Sequence, residues 1–163
     1  SIHNWFVGRA LDVLRPGGLV CFITSTYFLD ESDAGMRAHV ASEADLVTAF
    51  RLPSGTFERI ASTSVQADLV VLRKRAPGEA AAPAEWLDLD YVPKPMLREG
   101  CHEQYLRINR WLVRHPQHVL GRIDRVSNGF QAVPTAMLDG DLESALLSAQ
   151  GWKAKPWAVS RFS

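Results

Sequence analysis

The first fifteen residues, SIHNWFVGRALDVLR, set Ile2, Trp5, Phe6, Ala10, Val13 and Leu14 along one face of a helix. The pattern stops at RPGG, where Pro16 disfavours continuation and Gly17 or Gly18 can take the left-handed cap. LVCFIT follows as an unbroken apolar run, the mark of a strand buried on both faces. DESDAGMRAHVASEA is polar and compatible with a helix that turns Met36 and Val40 inward, with Asp30, Ser32 or Asp33 as its cap. DLVTAFRL and SVQADLVVLRK read as two further strands.

The order is helix, strand, helix, strand, loop, strand. Residues 1–51 alternate in the way that builds a parallel sheet covered by helices. The stretch between the last two strands lacks a helical period, which favours an antiparallel return. The expected fold is therefore α/β, mostly parallel with an antiparallel member near one edge. Near residue 75 the composition shifts: RAPGEAAAPAE reads as a surface linker, placed at 76–95 between an α/β part at 1–75 and a mainly helical part at 96–163. In the latter, CHEQYLRINRWLVRHP carries Tyr105, Ile108 and Leu112 at helical spacing, with Pro116 just past the end. DGDLESALLSA predicts a short amphipathic helix opened by an Asp cap, and GWKAKPWAVSRFS an irregular, mobile tail. Three strands are few for a doubly wound sheet, and no strand precedes the opening helix. The chain reads as the second half of an α/β domain.

Composition narrows this picture. Of 163 residues, 47% are hydrophobic, enough for a sizeable core. Lys plus Arg and Asp plus Glu both number 18, which argues against a polybasic nucleic-acid coat but does not exclude a local basic face. The two cysteines, Cys21 and Cys101, lie far apart, the usage of a reducing compartment. No run approaches the roughly 20 apolar residues of a membrane span, and Ser1 opens into a helix pattern without a cleavable signal. No membrane and a cytoplasmic setting are expected.

PGGLVCFITS, ADLVTAFRLPSGTF and TSVQADLVVLRKR together resemble the adenine-specific (amino-group) DNA methyltransferases that use S-adenosylmethionine. The likeness is to the branch fused to Swi/Snf-type helicases in phage- and plasmid-borne proteins. INRWLVRHPQHVLG resembles that branch's motif of Ile-Asn, an aromatic pair, His-Pro and Val-Leu-Gly, with Leu112 in place of one aromatic beside Trp111. DGDLESALLSA fits its usual ending, so the resemblance covers residues 2–149, carried by order and spacing. It implies the C-terminal half of a Rossmann-like methyltransferase sheet, parallel with an antiparallel strand, plus a small mainly helical extension. It also implies DNA, the missing N-terminal half of the domain and a downstream helicase domain as partners. S-adenosylmethionine would bind the complete domain and not this chain alone, with no metal. The family's Gly-rich cofactor turn and Asn-Pro-Pro-aromatic catalytic motif are missing, so these residues alone are not expected to methylate anything.

Phe57, in the loop between the last two strands, stands where the family has one aromatic wall for an extruded base; the alternative is a ring folded back onto a small satellite cluster. Thr24 and Ser25 follow a buried strand, where ligands of open sheets sit, although Ser and Thr there also form turns. Arg51 and Arg59 flank the Phe57 loop and suit DNA phosphates, or ion pairs. Cys101, His102, His115 and His118 do not have the spacing of a zinc finger. Cys21, mid-strand, reads as inert, and Trp5, Phe6, Phe22 and Phe50 as core. Two functions follow as expectations: part of an S-adenosylmethionine-dependent DNA adenine methyltransferase that stacks the target base and completes the sheet, or a truncated, non-catalytic remnant acting as a DNA-associated or protein-binding module.

Overall fold

The computed structural model of the chain describes residues 2–58, 65–102, 105–127 and 132–149. Arg59 and the GWKAKPWAVSRFS tail, which carry expectations above, lie outside these residues.

Helix α1 (Ile2–Val13) turns Val7 and Leu11 into the core, while Trp5, Phe6 and Val13 are exposed. The apolar stripe is wider than the core beneath it. The four-residue spacing of Val7 and Leu11 meets that core, and the aromatic flank does not. Trp5 and Phe6, expected inside, are thus surface residues here. Gly17 takes the left-handed conformation (φ +78°) that ends the helix. Its N–H donates to the Lys74 carbonyl at 2.8 Å, Lys74 N–H donates to the Gly18 carbonyl at 2.9 Å, and Lys74 Nζ donates to the Leu11 carbonyl at 2.7 Å.

Three strands, β1 (Leu19–Ser25), β2 (Ala44–Arg51) and β3 (Ala67–Lys74), form a sheet in the order β1-β3-β2. Both ladders are antiparallel, with Phe22 opposite Val70 in one and Ala49 opposite Val70 in the other. Between β1 and β2 come α2 (Tyr27–Asp30) and α3 (Gly35–Glu43). Asp33 holds the start of α3 by accepting the Gly35 N–H at 2.8 Å, and Val40 is fully buried.

This corrects the expected parallel, Rossmann-like sheet. Because both neighbours of β3 are antiparallel to it, β1 and β2 run in the same direction, joined by a helical crossover. The alternation of helix and strand registers that shared direction, but it cannot register β3 entering between them, and no parallel ladder forms among the named strands. The remaining sheets are antiparallel pairs too: β4 (Leu89–Tyr91) with β5 (Arg107–Asn109), and β6 (Arg122–Ser127) with β7 (Ala132–Met137). The later residues are therefore not mainly helical. Ile108 and Leu112 are buried as their spacing suggests, yet the first lies in β5 and the second in α4 (Arg110–Arg114), and Tyr105 is exposed. The helical period straddles a strand-to-helix junction. Helix α5 (Leu142–Ala149) opens on Asp141, which accepts the Ser144 N–H at 2.8 Å.

One apolar cluster runs through the molecule, bringing Val40, Val70 and Leu72 against Trp86, Ile108, Leu112 and Ile123. Trp86 lies in a 3-10 turn (Glu85–Leu87) within the segment expected as a linker. A second, smaller cluster of Leu52, Leu120 and Ala149 is joined by Phe50, Phe57 and Leu142.

Candidate functional site

The shared direction of β1 and β2 brings their carboxyl ends together beside the start of β3. Thr24 and Arg51 both lie opposite Asp68, and Ser25 lies opposite Ala67. Thr24 is buried and Ser25 half-buried. Three of the candidate residues therefore do gather at one end of the sheet. Arg51, however, is fully buried and faces inward. Its Nε and Nη2 donate to the two oxygens of Asp68, each at 2.9 Å, and Nη1 lies 2.7 Å from Asp30 Oδ2. The ion-paired alternative is the one that this geometry holds, and the guanidinium is committed on three sides. Burial works against the charge of Arg51, but the two carboxylates outweigh it and hold its pKa above the ordinary value. Burial pushes the Asp68 carboxyl upward, while Arg51 pulls it back.

Asp30 carries the network onward. Its Oδ1 accepts the Asn109 N–H at 2.9 Å. The Asn109 side-chain amide donates to the carbonyls of Leu29 and Trp86, both at 2.8 Å, and its Oδ1 accepts the Trp111 N–H at 3.1 Å, opening α4. A single buried asparagine thus ties α2, the Trp86 turn and α4 together. Sequence reasoning noted Asn109 only within a motif and gave it no role. Arg37, also buried, binds the Leu87 carbonyl through Nε and Nη2 at 3.1 and 2.9 Å. Burial lowers its pKa.

Phe57 sits in the loop that follows β2. Leu52 N–H donates to the Ala67 carbonyl, Ser54 N–H to the Ala136 carbonyl at 2.8 Å, and Thr56 Oγ1 to the Pro53 carbonyl at 2.6 Å. The ring is half-buried and packs on the second cluster, with Leu52, Leu120 and Ala149. The satellite cluster anticipated as its alternative exists, and Phe57 belongs to it.

Beside this loop the chain closes the outer edge of β2. A 3-10 turn (Pro116–His118) leads to Val119, which bridges Arg51, and Leu120 N–H donates to the Arg51 carbonyl at 3.0 Å. His118 Nδ1 lies 2.9 Å from the Ala49 carbonyl, so that nitrogen bears the proton in the neutral ring, and Thr48 Oγ1 lies 3.2 Å from it. His118 stacks on Phe50 with centroids 4.4 Å apart and meets the edge of Trp111 at 5.0 Å. Trp111 stacks on His115 at 4.1 Å. Burial lowers the His118 pKa, with the Ala49 carbonyl opposing and His115 adding to the effect. Among the described residues, no group of three or more His, Cys, Asp or Glu side chains is placed to hold a metal. Gly121, at φ +127°, then passes so close to β7 that a Cβ there would lie 2.4 Å from the Met137 carbonyl oxygen.

The edge of β1 is different. β1 has one strand neighbour, β3, among the described residues. Leu19 and Ile23 are 60% and 55% exposed, and Cys21 between them is exposed as well. The strand expected to be buried on both faces is thus bare on one of them. On the other face, α1 leans over it and leaves a groove of about 330 Å³ lined by Phe6, Val7, Ala10, Val20, Phe22 and Thr24, with Ile23 also reaching its lining. Phe6, which lines the groove, is exposed and meets the exposed Trp5 edge to face at 5.1 Å. No described helix is long and apolar enough to cross a membrane.

No protein-family model matches the chain, and no solved structure does. Among curated proteins it is similar to "Defense against restriction protein B" of Escherichia phage P1, 35% identical over 82 residues, which are 50% of this chain and 4% of that protein. The match thus spans a small fraction of its relative's length. These findings correct the resemblance drawn from the sequence: no methyltransferase family is matched, and the relative that is found is named for defence against restriction.

Proposed function

We propose that the chain is a non-catalytic protein-binding module of a larger protein concerned with defence against restriction. The observation that carries this reading is the open apolar edge of β1, seven uncharged residues with Leu19, Cys21 and Ile23 exposed, beside the bare aromatics of α1. Apolar surface of this kind, rimmed by polar residues, marks a place where another protein surface docks. The resemblance to a small part of a much longer phage protein supports a setting within a larger polypeptide. Any chemistry and any cofactor then belong to that polypeptide's other parts.

Protein is favoured over DNA by the state of the cations. Arg51, Arg73, Arg75, Arg98, Arg110 and Arg114 are each within ion-pair distance of a carboxylate of the chain. A phosphate backbone would have to displace these partners, and the formal net charge of zero supplies no long-range attraction.

The test is maleimide labelling of Cys21 in the natural gene product and in these 163 residues alone, with half-buried Cys101 as the internal reference. The reading expects a natural product much heavier than the chain and labelling of Cys21 slowed by about tenfold or more in it. Equal labelling, or a natural product with the mass of these residues alone, overturns the reading.

A further inference from the structure

The ribbon of β4 and β5 turns its two faces to different surroundings. Val92, Leu106 and Ile108 are buried on the inner face. The Val92 N–H donates to the Leu106 carbonyl at 2.9 Å, which carries the pairing one step past β4. Strand alternation then sends Tyr91, Tyr105 and Arg107 outward together. Tyr91 lies directly opposite Arg107 in the register, and the two tyrosines are 56% and 77% exposed. Among the described residues neither ring stacks on another and neither hydroxyl is hydrogen-bonded. Tyrosine and arginine are the side chains enriched where one protein surface anchors on another.

Charge on this face is uncompensated. Arg107 is exposed, as is Lys94, three residues beyond Tyr91, and neither has a carboxylate partner among the described residues. At the opposite end of β4 the sign reverses, because Arg110 alone serves two carboxylates, Asp88 at 2.8 Å and Asp90 at 3.7 Å. The ribbon therefore asks for negative charge at one end only. A nucleic-acid strand carries a charge at every nucleotide and would run on from the cations into Asp88 and Asp90. A peptide places its carboxylates only where the cations stand. In extended form its alternate side chains recur about every 7 Å, which is the spacing from Arg107 to Tyr105 along β5. A carboxylate can take the guanidinium fork of Arg107 through two hydrogen bonds, and an apolar neighbour can lie on the tyrosine rings.

We infer that the outer face of the β4–β5 ribbon is a second interaction surface, which takes a short acidic segment of a partner protein, with carboxylates on Arg107 and Lys94 and an apolar side chain against Tyr91 and Tyr105. This surface belongs to a different sheet from β1 and does not rest on what docks at that edge.

The test is a titration of the isotopically labelled chain, read by amide chemical shifts, with a blocked peptide of sequence Asp-Glu-Leu-Asp-Glu-Leu. Either face of this peptide, when extended, presents acid and leucine together. The amides around Tyr91, Lys94, Tyr105 and Arg107 should move together and saturate at one peptide concentration. The uncharged Asn-Gln-Leu-Asn-Gln-Leu peptide and the Arg107→Glu variant should each weaken binding by about tenfold or more. Tyr105→Ala should weaken it by about threefold, a loss that charge alone would not produce. All these side chains are exposed, so unchanged shifts elsewhere in each variant show that the fold is kept. The inference is overturned if these amides do not move below about 10 mM peptide, if the uncharged peptide binds equally well, or if Arg107→Glu leaves binding as it was. Tighter binding of a short oligothymidylate through the same amides assigns the face to nucleic acid and likewise overturns it.

Discussion

The two edges of the central sheet have opposite fates. Along β2 the chain returns to cover its own edge: Val119 and Leu120 are nearly inaccessible, Leu120 N–H reaches the Arg51 carbonyl, and His118 reaches the carbonyl of Ala49. Behind that cover lie the buried ion pairs of Arg51 and the asparagine at 109. Along β1 none of this is present among the described residues, and apolar side chains meet water. The same sheet therefore contains one edge closed within the chain by polar contacts and one suited to closure from outside by apolar contacts. The polar contacts specify a single internal arrangement, since a misplaced segment would strand buried charges. The apolar edge specifies little by itself, and any strand or surface docked there would have to supply the register.

The largest test of this contrast is Arg51→Ala. It leaves Asp30 and Asp68 without their cation behind the closed edge, and a stability loss of about 3–5 kcal/mol is expected in urea unfolding. A loss below about 1 kcal/mol would mean that the closed edge is held by its packing and not by the ion pairs. Next comes Phe57→Ala, in the cluster beside that edge. A half-buried ring should contribute about 1–2 kcal/mol, and an unchanged melt would free Phe57 for a role toward a ligand. Acid should then loosen the closed edge in a graded way. The folded-state pKa of His118 lies below its ordinary value, so the unfolded chain takes up this proton first. The histidine's contribution is complete above about pH 6.5, falls as the pH drops below it, and levels off below the folded-state pKa. Comparing unfolding at pH 7 and pH 5 in the wild type and in His118→Gln reads this out: the substitution should flatten the slope, and an identical slope would assign it to other groups. The smallest effect belongs to the open edge. Ile23→Lys should alter the stability of the 163 residues by no more than about 0.5 kcal/mol, because the side chain already meets water; a larger loss would show that the edge is packed after all.

The three strands of the sheet were legible because each is an apolar run bounded by turn residues. Their neighbours were not, since a period of two reports which faces are buried and says nothing of which strand lies alongside. Trp5 and Phe6 show a related limit. A helical stripe marks apolar positions without distinguishing a face for the chain's own core from a face for another protein. Tyr105, Ile108 and Leu112 satisfied a helical spacing by chance, across a strand that ends at an N-capping asparagine. At the candidate site, an ion-paired Arg51 and a satellite cluster around Phe57 were both visible as alternatives. Identifying Asp68 and Asp30 as the partners required the fold, because they come from β3 and α2. Asn109 left no trace beyond a place in a motif, as one buried amide has no periodicity.

The placement of β3 has a consequence for the timing of synthesis. β1 and β2 precede β3 in the chain, and among the described residues the strand that pairs with each of them is β3, whose last residue is Lys74. At about 5–20 residues per second, the interval from the end of β1 to the end of β3, about fifty residues, lasts roughly 3–10 seconds. Throughout it LVCFITS is an apolar segment whose β3 partner is still being made.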